Sequence, residues 1–228
     1  MRLRWFTRGI ARADRPGPAE RREKERLAAR ATQAYLLYVL LPLWTIPGFA
    51  DYLCHKRSKI EETSGTQESI THNLLMALIG TPALLALLFE TNALTLAVGA
   101  VAVVLHEGVT IWDVAYAAPR RTVTVTEQHV HSFLEVLPFA TLSLLLCLRS
   151  DQLLAMLGIS GEKPDYRLRL KAEPPPRAYV AGLLGAIVLT IGLPYAEELV
   201  RCMRVSPSPL PRPKRKDGCG EPRTNDDA

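Results

Sequence analysis

Five long apolar runs, separated by strongly charged segments, constrain the fold of this sequence more than any other feature. A helix needs about 20 mainly apolar residues to cross a bilayer, and about 17 to 25 are workable. Hydrophobic residues make up 48% of the chain and charged residues 22%, averages that would suit a soluble domain, but the two classes are segregated along the sequence. We therefore predict an all-α, multi-pass transmembrane helix bundle with five spans, at residues 34–50, 70–89, 93–117, 131–148 and 178–195.

The charged segments divide the chain around this bundle, which we place at residues 34–200. Residues 1–33 and 201–228 are basic and rich in proline or glutamate, a composition typical of disorder. The segment 149–177 alternates apolar and basic residues, and we expect it to lie on the membrane surface. Ten basic residues precede the first span and six lie in the surface segment, which favours a cytoplasmic N-terminus, although seven in the tail oppose it.

All histidines of the chain fall between the end of the first predicted span and the start of the fourth. Because successive span ends alternate between the two membrane faces, the end of span one, the start of span two, the end of span three and the start of span four share one face. Four histidines lie near that face, and His106 faces it from greater depth. The five are His55, His72, His106, His129 and His131.

Carboxylates accompany these histidines at helical spacing. Residues three, four or seven apart lie on one side of a helix, and each of four predicted helices has a histidine with a carboxylate at such a spacing. His129 is the exception, because it points about 160 degrees away from His131. The sets are Asp51 with His55, Glu68 with His72, His106 with Thr110 and Asp113, and Glu127 with His131 and Glu135.

His106 and Glu107 lie deepest in the predicted membrane. They precede the end of the third span by about eleven residues, or roughly 16 Å at 1.5 Å per residue. A charged group near the bilayer centre costs about 2.5 to 3.5 kcal/mol on insertion scales. Such side chains should face the bundle or water, and they raise the hypothesis of a functional site.

Imidazole and carboxylate groups together suit zinc, iron or manganese, and mixed sets from facing helices build two-metal sites in bundles. The pattern resembles that of di-iron carboxylate four-helix proteins, although those use Glu-x-x-His, whereas Glu68 and His72 are four apart. Membrane fatty-acid hydroxylases and desaturases are similar only in general character, because their histidine boxes are missing. We predict a transition-metal site whose ligands are His55, Glu68, His72, His106, Asp113, His131 and Glu135.

Four stretches of the sequence resemble those of a group of bacterial multi-pass inner-membrane proteins that has no established activity. They read PGFADYLCH, EETSGTQESITH, WDVAYAAPRR and TEQHVHSFLE. The resemblance covers most of residues 34–200. It implies a location in the bacterial inner (cytoplasmic) membrane and implies no particular reaction.

The favoured function is a metal-dependent membrane enzyme that acts on a lipid or other hydrophobic substrate, as an oxidoreductase rather than a hydrolase. In a hydrolase the metal would activate water, with Glu107 or Asp113 as the catalytic base. Arg120 and Arg121 would hold a lipid headgroup, or would only anchor their loop. The basic run 211–216 favours contact with lipid headgroups over nucleic acid, so no nucleic-acid partner is expected.

Two other classes of function stay open. A proton or metal-ion transporter needs polar groups toward both membrane faces, whereas this cluster reaches only one. A non-enzymatic assembly or interaction protein would use the same polar side chains only to hold its helices together. Individual residues also have simpler interpretations: Glu127 follows Thr124 at capping-box spacing, and Asp51 and His55 could be solvated partners of nearby lysine and arginine side chains.

Overall fold

The computed structural model describes residues 17–205, and helices account for most of them. Five long helices and one short helix form in this part of the chain. One isolated antiparallel bridge, between Phe89 and Leu170, joins two of the connections between helices. The helices are α1 (Pro18–Ser58), α2 (Gly65–Leu88), α3 (Ala93–Ala117), α4 (Val125–Leu148), the short α5 (Ser150–Met156) and α6 (Arg177–Val205).

The five long helices are each long and apolar enough to cross a membrane. Their outer faces carry large hydrophobic side chains, and Val104, Ile111 and Leu189 are each more than half exposed. Extended apolar surface of this kind is unfavourable in water and is covered by lipid in a bilayer. The predicted all-α bundle with five spans is confirmed, and the chain is a multi-pass membrane protein.

Several helices extend beyond the predicted spans. α1 begins at Pro18, inside the segment 1–33 that we predicted to be disordered, and for residues 18–33 that prediction is wrong. The stretch is rich in alanine, glutamate and arginine, which favour helix, and Glu20 and Lys24 form an i, i+4 ion pair of 2.7 Å. α6 continues ten residues past the predicted end of its span. The rest of the predicted disordered ends, with the basic run 211–216, lies outside the described residues.

Two of the spanning helices contain a π-helical turn. In α1 the turn covers Leu36–Leu40 and ends two residues before Pro42, which has no N–H to donate to the carbonyl four residues earlier. In α6 it covers Val188–Gly192. Such wide turns absorb an irregularity without ending the helix. Both helices therefore stay continuous across the apolar region.

The long helices pack as neighbours in a bundle. α2 lies against α3 and α6, and α1 lies against α4 and α6. α1 ends, α2 begins, α3 ends, α4 begins and α6 ends on the same side, which we call the site face. The opposite side, the far face, carries the α2–α3 connection and the segment between α4 and α6.

The segment between α4 and α6 is held against the α2–α3 connection at the far face. The Glu90 N–H donates to the Arg169 carbonyl at 2.8 Å, and the Lys171 N–H donates to the Leu88 carbonyl at 3.1 Å. Asn92 caps α3 by accepting from two N–H groups of its first turn, and its side-chain amide donates to the Arg167 carbonyl at 2.7 Å. These bonds order the far face around the ends of α2, α3 and α4.

Candidate metal centre

A buried polar network fills the bundle near the site face. All five acidic side chains that are buried within residues 17–205 belong to it, and they come from α1, α2, α3, α4 and α6. One arginine from the α3–α4 loop and histidines from three helices lie among them. The members are Asp51, Glu68, Asp113, Glu127 and Glu198, with His55, His72, His131 and Arg121.

Glu198 of α6 connects two of the histidines. Its Oε2 lies 3.0 Å from His55 Nδ1, and its Oε1 lies 3.1 Å from His72 Nδ1. The two imidazole rings stack with centroids 4.1 Å apart and planes 9° from parallel. An ionised carboxylate can only accept hydrogen bonds, so both Nδ1 atoms donate. In neutral imidazoles both Nε2 atoms then carry the lone pair, which is the form that binds metal.

The His55 Nε2 atom is surrounded by carboxylates. It lies 3.3 Å from Asp51 Oδ1 and 3.6 Å from Glu127 Oε1, and it has no hydrogen-bond partner among the described residues. His131 Nε2 lies 2.9 Å from the same Asp51 oxygen. The potential ligand atoms of Asp51, His55, Glu127 and His131 all lie within 4.8 Å of one another. These four residues form the first ligand group.

The His72 Nε2 atom has similar surroundings. It lies 3.4 Å from Asp113 Oδ2 and 3.7 Å from Glu68 Oε1, and no hydrogen bond within residues 17–205 satisfies it. His55, Glu68 and His72 also present ligand atoms within 4.8 Å of one another, and they form the second ligand group. The two groups share His55. The buried histidine and carboxylate side chains could therefore hold a metal ion, and they offer two adjacent positions for one.

Arg121 joins the acidic residues of the two groups. Its guanidinium is buried, with Nε 3.0 Å from Glu68 Oε1 and Nη2 2.6 Å from Glu127 Oε1. Burial alone would lower its pKa, but the hydrogen bonds and charges of these two carboxylates raise the pKa of Arg121 above its ordinary value. The headgroup role predicted for Arg121 is contradicted, because its fork is occupied inside the bundle.

Arg120, the neighbouring residue, stays at the surface. Its guanidinium lies 3.7 Å from the centroid of the Tyr116 ring and donates to the Tyr116 carbonyl at 2.6 Å. This position leaves the predicted anchoring role of Arg120 open. The α3–α4 loop therefore sends one arginine outward and one inward.

The charges within the network do not balance. Five buried carboxylates face one buried guanidinium, and burying an unpaired charge costs several kcal/mol. Protonation of His55, His72 and His131 would still leave one negative charge. Two divalent cations would neutralise the network while the histidines stay neutral. Neutrality requires bound cations or protonated carboxylates, and bound cations would also use the free lone pairs of the His55 and His72 Nε2 atoms.

Three predicted ligands lie outside the two ligand groups. His106, Asp113 and Glu135 instead line a small cavity of about 30 Å³, together with Asp51, His72 and His131. A cavity of this size has room for a water molecule. His106 Nδ1 lies 3.7 Å from Glu107 Oε1, and the Glu107 side chain is 46% exposed, so it points away from the site.

Other predictions for individual residues can be compared with the structure. His129 is exposed and lies edge-on against Phe133, as expected for the face opposite His131. Thr124 Oγ1 accepts the Glu127 N–H at 3.2 Å, so Glu127 does lie in the capped first turn of α4, while its side chain reaches Arg121. Asp51 and His55 are buried, which contradicts the alternative that they are solvated.

The sequence analysis did not name Asp51 and Glu127 as ligands, although it noted their spacing to His55 and His131, and it missed Glu198 and Tyr195 altogether. The Tyr195 hydroxyl donates to Asp51 Oδ2 at 2.9 Å and lies fully buried beside the first ligand group. The alternation of span ends could have found both residues, because it also places the end of the fifth span at the site face. Tyr195 and Glu198 are three apart there, on one side of the helix.

Searches for related proteins add nothing to the geometry: no family model, no curated protein and no solved structure matches the chain. The fold and the site together define a class. It is a multi-pass helical membrane protein with a buried group of histidine and carboxylate side chains that could hold a metal ion.

Proposed function

We propose that this chain is a metal-dependent integral membrane enzyme that oxidises a lipid or other hydrophobic substrate. The observation that carries the proposal is the shared contact of Glu198 with two histidine Nδ1 atoms. Metal-binding histidines usually donate their other ring N–H to a carboxylate, which fixes the tautomer. A network that served only helix packing would be expected to satisfy both nitrogens of each ring.

Iron, manganese and zinc are the metals that this set of donors suits. Imidazole and carboxylate ligands are common to all three, and carboxylate-rich pairs of sites in helix bundles hold two ions. His55 has one nitrogen free to bind an ion, so in such a pair it would serve the first group, and Asp113, 3.4 Å from His72 Nε2, would complete the second. Iron or manganese would supply the electron-transfer chemistry of an oxidoreductase, whereas zinc would supply only Lewis acidity.

The surroundings of the ligand groups favour oxidation of a hydrocarbon over hydrolysis. Leu75 and Leu134 lie beside the small cavity, and Ile79 and Val103 follow toward the far face. Insertion of one oxygen atom into a C–H bond uses dioxygen, two electrons and two protons, and it yields a hydroxyl group and one water. An external electron donor would therefore be a required partner.

The placement of the charged side chains near one membrane face speaks against transport. The charged side chains of the network lie at the site face, and the interior between them and the far face is lined mainly by apolar residues of the described bundle. A transported proton or metal ion would need polar groups along that path.

We place the protein in a bacterial inner membrane with its N-terminus in the cytoplasm, on the basis of the sequence resemblance and the basic residues.

The proposal is tested by metal analysis of purified protein. The full chain, expressed with iron, manganese and zinc supplied and purified in mild detergent without a chelating tag, should retain about one or two ions. His55→Ala and His72→Ala should each lose bound metal, because each removes one of the two Nε2 donors. His129→Ala is the matched control and should keep the metal content of the wild type, since His129 lies on the outer face.

The identity of the bound metal tests the class of reaction, and its loss from the variants tests the position of the site. Iron or manganese in the wild type would support the oxidoreductase, and zinc alone would replace it with a hydrolase. Absence of metal from folded, monodisperse wild-type protein would mean that the buried polar network only holds the helices together. Retention of metal in both histidine variants would place the site elsewhere.

A further inference from the structure

A larger cavity lies between the halves of α1, α2, α3 and α4 that are nearer to the far face. Its volume is about 490 Å³, within the range of roughly 300 to 1,000 Å³ that is usual for small-molecule sites. The π-helical turn of α1 contributes to its wall. Most of the lining is apolar and includes Leu37, Leu41, Ile79, Ala83, Leu142 and Leu145.

The inner end of this cavity approaches the candidate metal centre. Ile79 on α2 and Val103 on α3 line the large cavity, while Leu75 and His106, one helical turn nearer to the site face, line the small one. One turn corresponds to about 5.4 Å along a helix. The small cavity in turn borders His72, which supplies a ligand atom to the second ligand group. The end of a hydrocarbon chain bound in the large cavity would therefore be directed toward the candidate metal centre.

The outer end of the cavity, at the far face, carries charges of both signs. Arg149, Lys171, Glu90 and Glu173 line it. The Arg149 guanidinium donates to both oxygens of Asp151 at 3.1 Å, and these bonds lower the pKa of Asp151 to about 2, so the pair is ionised at neutral pH. Lys171 makes no side-chain ion pair within residues 17–205.

We propose that the large cavity binds one acyl chain of a membrane phospholipid with a zwitterionic headgroup. Its phosphate would lie beside Lys171 and its amine beside Glu90 and Glu173. A purely anionic headgroup would meet two carboxylates here, and a purely cationic one would meet Lys171 and Arg149, so complementary charge selects a headgroup that has both. The inference rests on the proposed function, for which it names the substrate class.

Lipid retention by the purified full chain tests the inference. The protein is incubated in detergent micelles that contain equal amounts of phosphatidylethanolamine, phosphatidylglycerol and palmitic acid, purified again, and its retained lipid is quantified by mass spectrometry. About one phosphatidylethanolamine per chain is expected for a cavity of this size. The metal content of each preparation is measured alongside.

Two pairs of variants locate the lipid. Ala83→Phe fills the cavity and should abolish retention, whereas Ala77→Phe, which is exposed on the same helix, should not. Lys171→Met should lower the retention of phosphatidylethanolamine, because its phosphate loses the cation beside it, whereas Lys163→Met, exposed in the same segment, should leave retention unchanged.

The outcomes separate this inference from the proposed function. Wild-type retention in Ala83→Phe overturns the cavity site, and equal retention of phosphatidylglycerol or palmitic acid by the wild type overturns the zwitterionic headgroup. Either result with metal still bound leaves the proposed function standing. Retained phosphatidylethanolamine in a wild type without metal would support the lipid site and refute the enzyme.

Discussion

Glu198 accepts hydrogen bonds from two imidazoles, and a carboxylate is the side chain that can do this with one oxygen for each ring. Glutamine has one carbonyl oxygen and one amino group, and the amino group can only donate. In Glu198→Gln, one of the two histidines would therefore lose its acceptor or change its tautomer. The position of Glu198 outside the ligand groups makes it a positioning residue for His55 and His72.

We predict that Glu198→Gln weakens metal binding by about 10- to 100-fold, the usual effect of removing an outer partner of a metal ligand. The matched control is Glu197→Gln. Glu197 accepts from Tyr52 and Arg201 and contacts neither His55 nor His72, so its variant should bind metal like the wild type. Competition with a chromophoric chelator measures both affinities. Equal weakening in the two variants would mean that general loss of negative charge, not histidine orientation, is responsible.

Arg120 and Arg121 show a limit of assigning roles to single residues from the sequence. Both follow the end of α3 and have the same chemistry, so the sequence assigned them one shared role. The structure gives Arg121 two buried carboxylates and gives Arg120 the face of Tyr116. Which arginine turns inward depends on Glu68, which lies on another helix and 53 residues away.

At the scale of helices, the close approach of α6 to α1 brings Tyr195 and Glu198 to the site. The approach occurs at Gly48, where a Cβ atom would collide with the Cδ1 atom of Ile191. The Tyr195 hydroxyl also lies 3.1 Å from the Gly48 carbonyl oxygen. A side chain at position 48 would therefore force the Ile191 side chain to move, about one helical turn from Asp51 of the candidate metal centre.

We predict that Gly48→Val destabilises the protein by about 1 to 3 kcal/mol, as overpacking does in other interiors, and lowers the temperature of thermal unfolding in detergent. Adding Ile191→Ala should restore much of the loss, because the two residues are in contact and their effects are coupled. Gly108→Val is the control, since a Cβ atom there meets nothing within 4 Å. No rescue by Ile191→Ala would show that the glycine is needed for another reason.

At the scale of the whole molecule, the candidate metal centre requires five helix ends to meet on one membrane face. Asp51, Glu68, Asp113, Glu127 and Glu198 come from five different helices and can be neighbours only in this topology. Reporter fusions after residues 60, 122 and 205 should therefore all report one side of the membrane, and a fusion after residue 160 should report the other.

The fusions at 60 and 122 test the first four spans, and the fusion at 205 tests α6 separately. A fusion at 205 that reports the side of residue 160 would mean that α6 does not cross. Glu198 could not then reach His55 and His72. Opposite results at 60 and 122 would remove the shared face on which the ligand groups depend.

The sequence by itself determined the number of spans, the shared face of the histidines and most of the candidate ligands. These features follow from the length of apolar runs and from helical periodicity, which are local properties of the chain. His55, Glu68, His72 and His131 are members of the ligand groups, as their spacing predicted. Even the outward position of His129 follows from its angle to His131 along one helix.

Only the tertiary structure decided which side chains complete the network and which stay beside it. Glu198 lies 143 residues from His55 and 126 from His72, so no local pattern connects them. His106 and Glu135 have suitable spacing but lie outside the two ligand groups. Membership depends on how each helix is rotated and how closely it packs against the others. Contacts between distant segments set both, and Gly48 against Ile191 is one such contact.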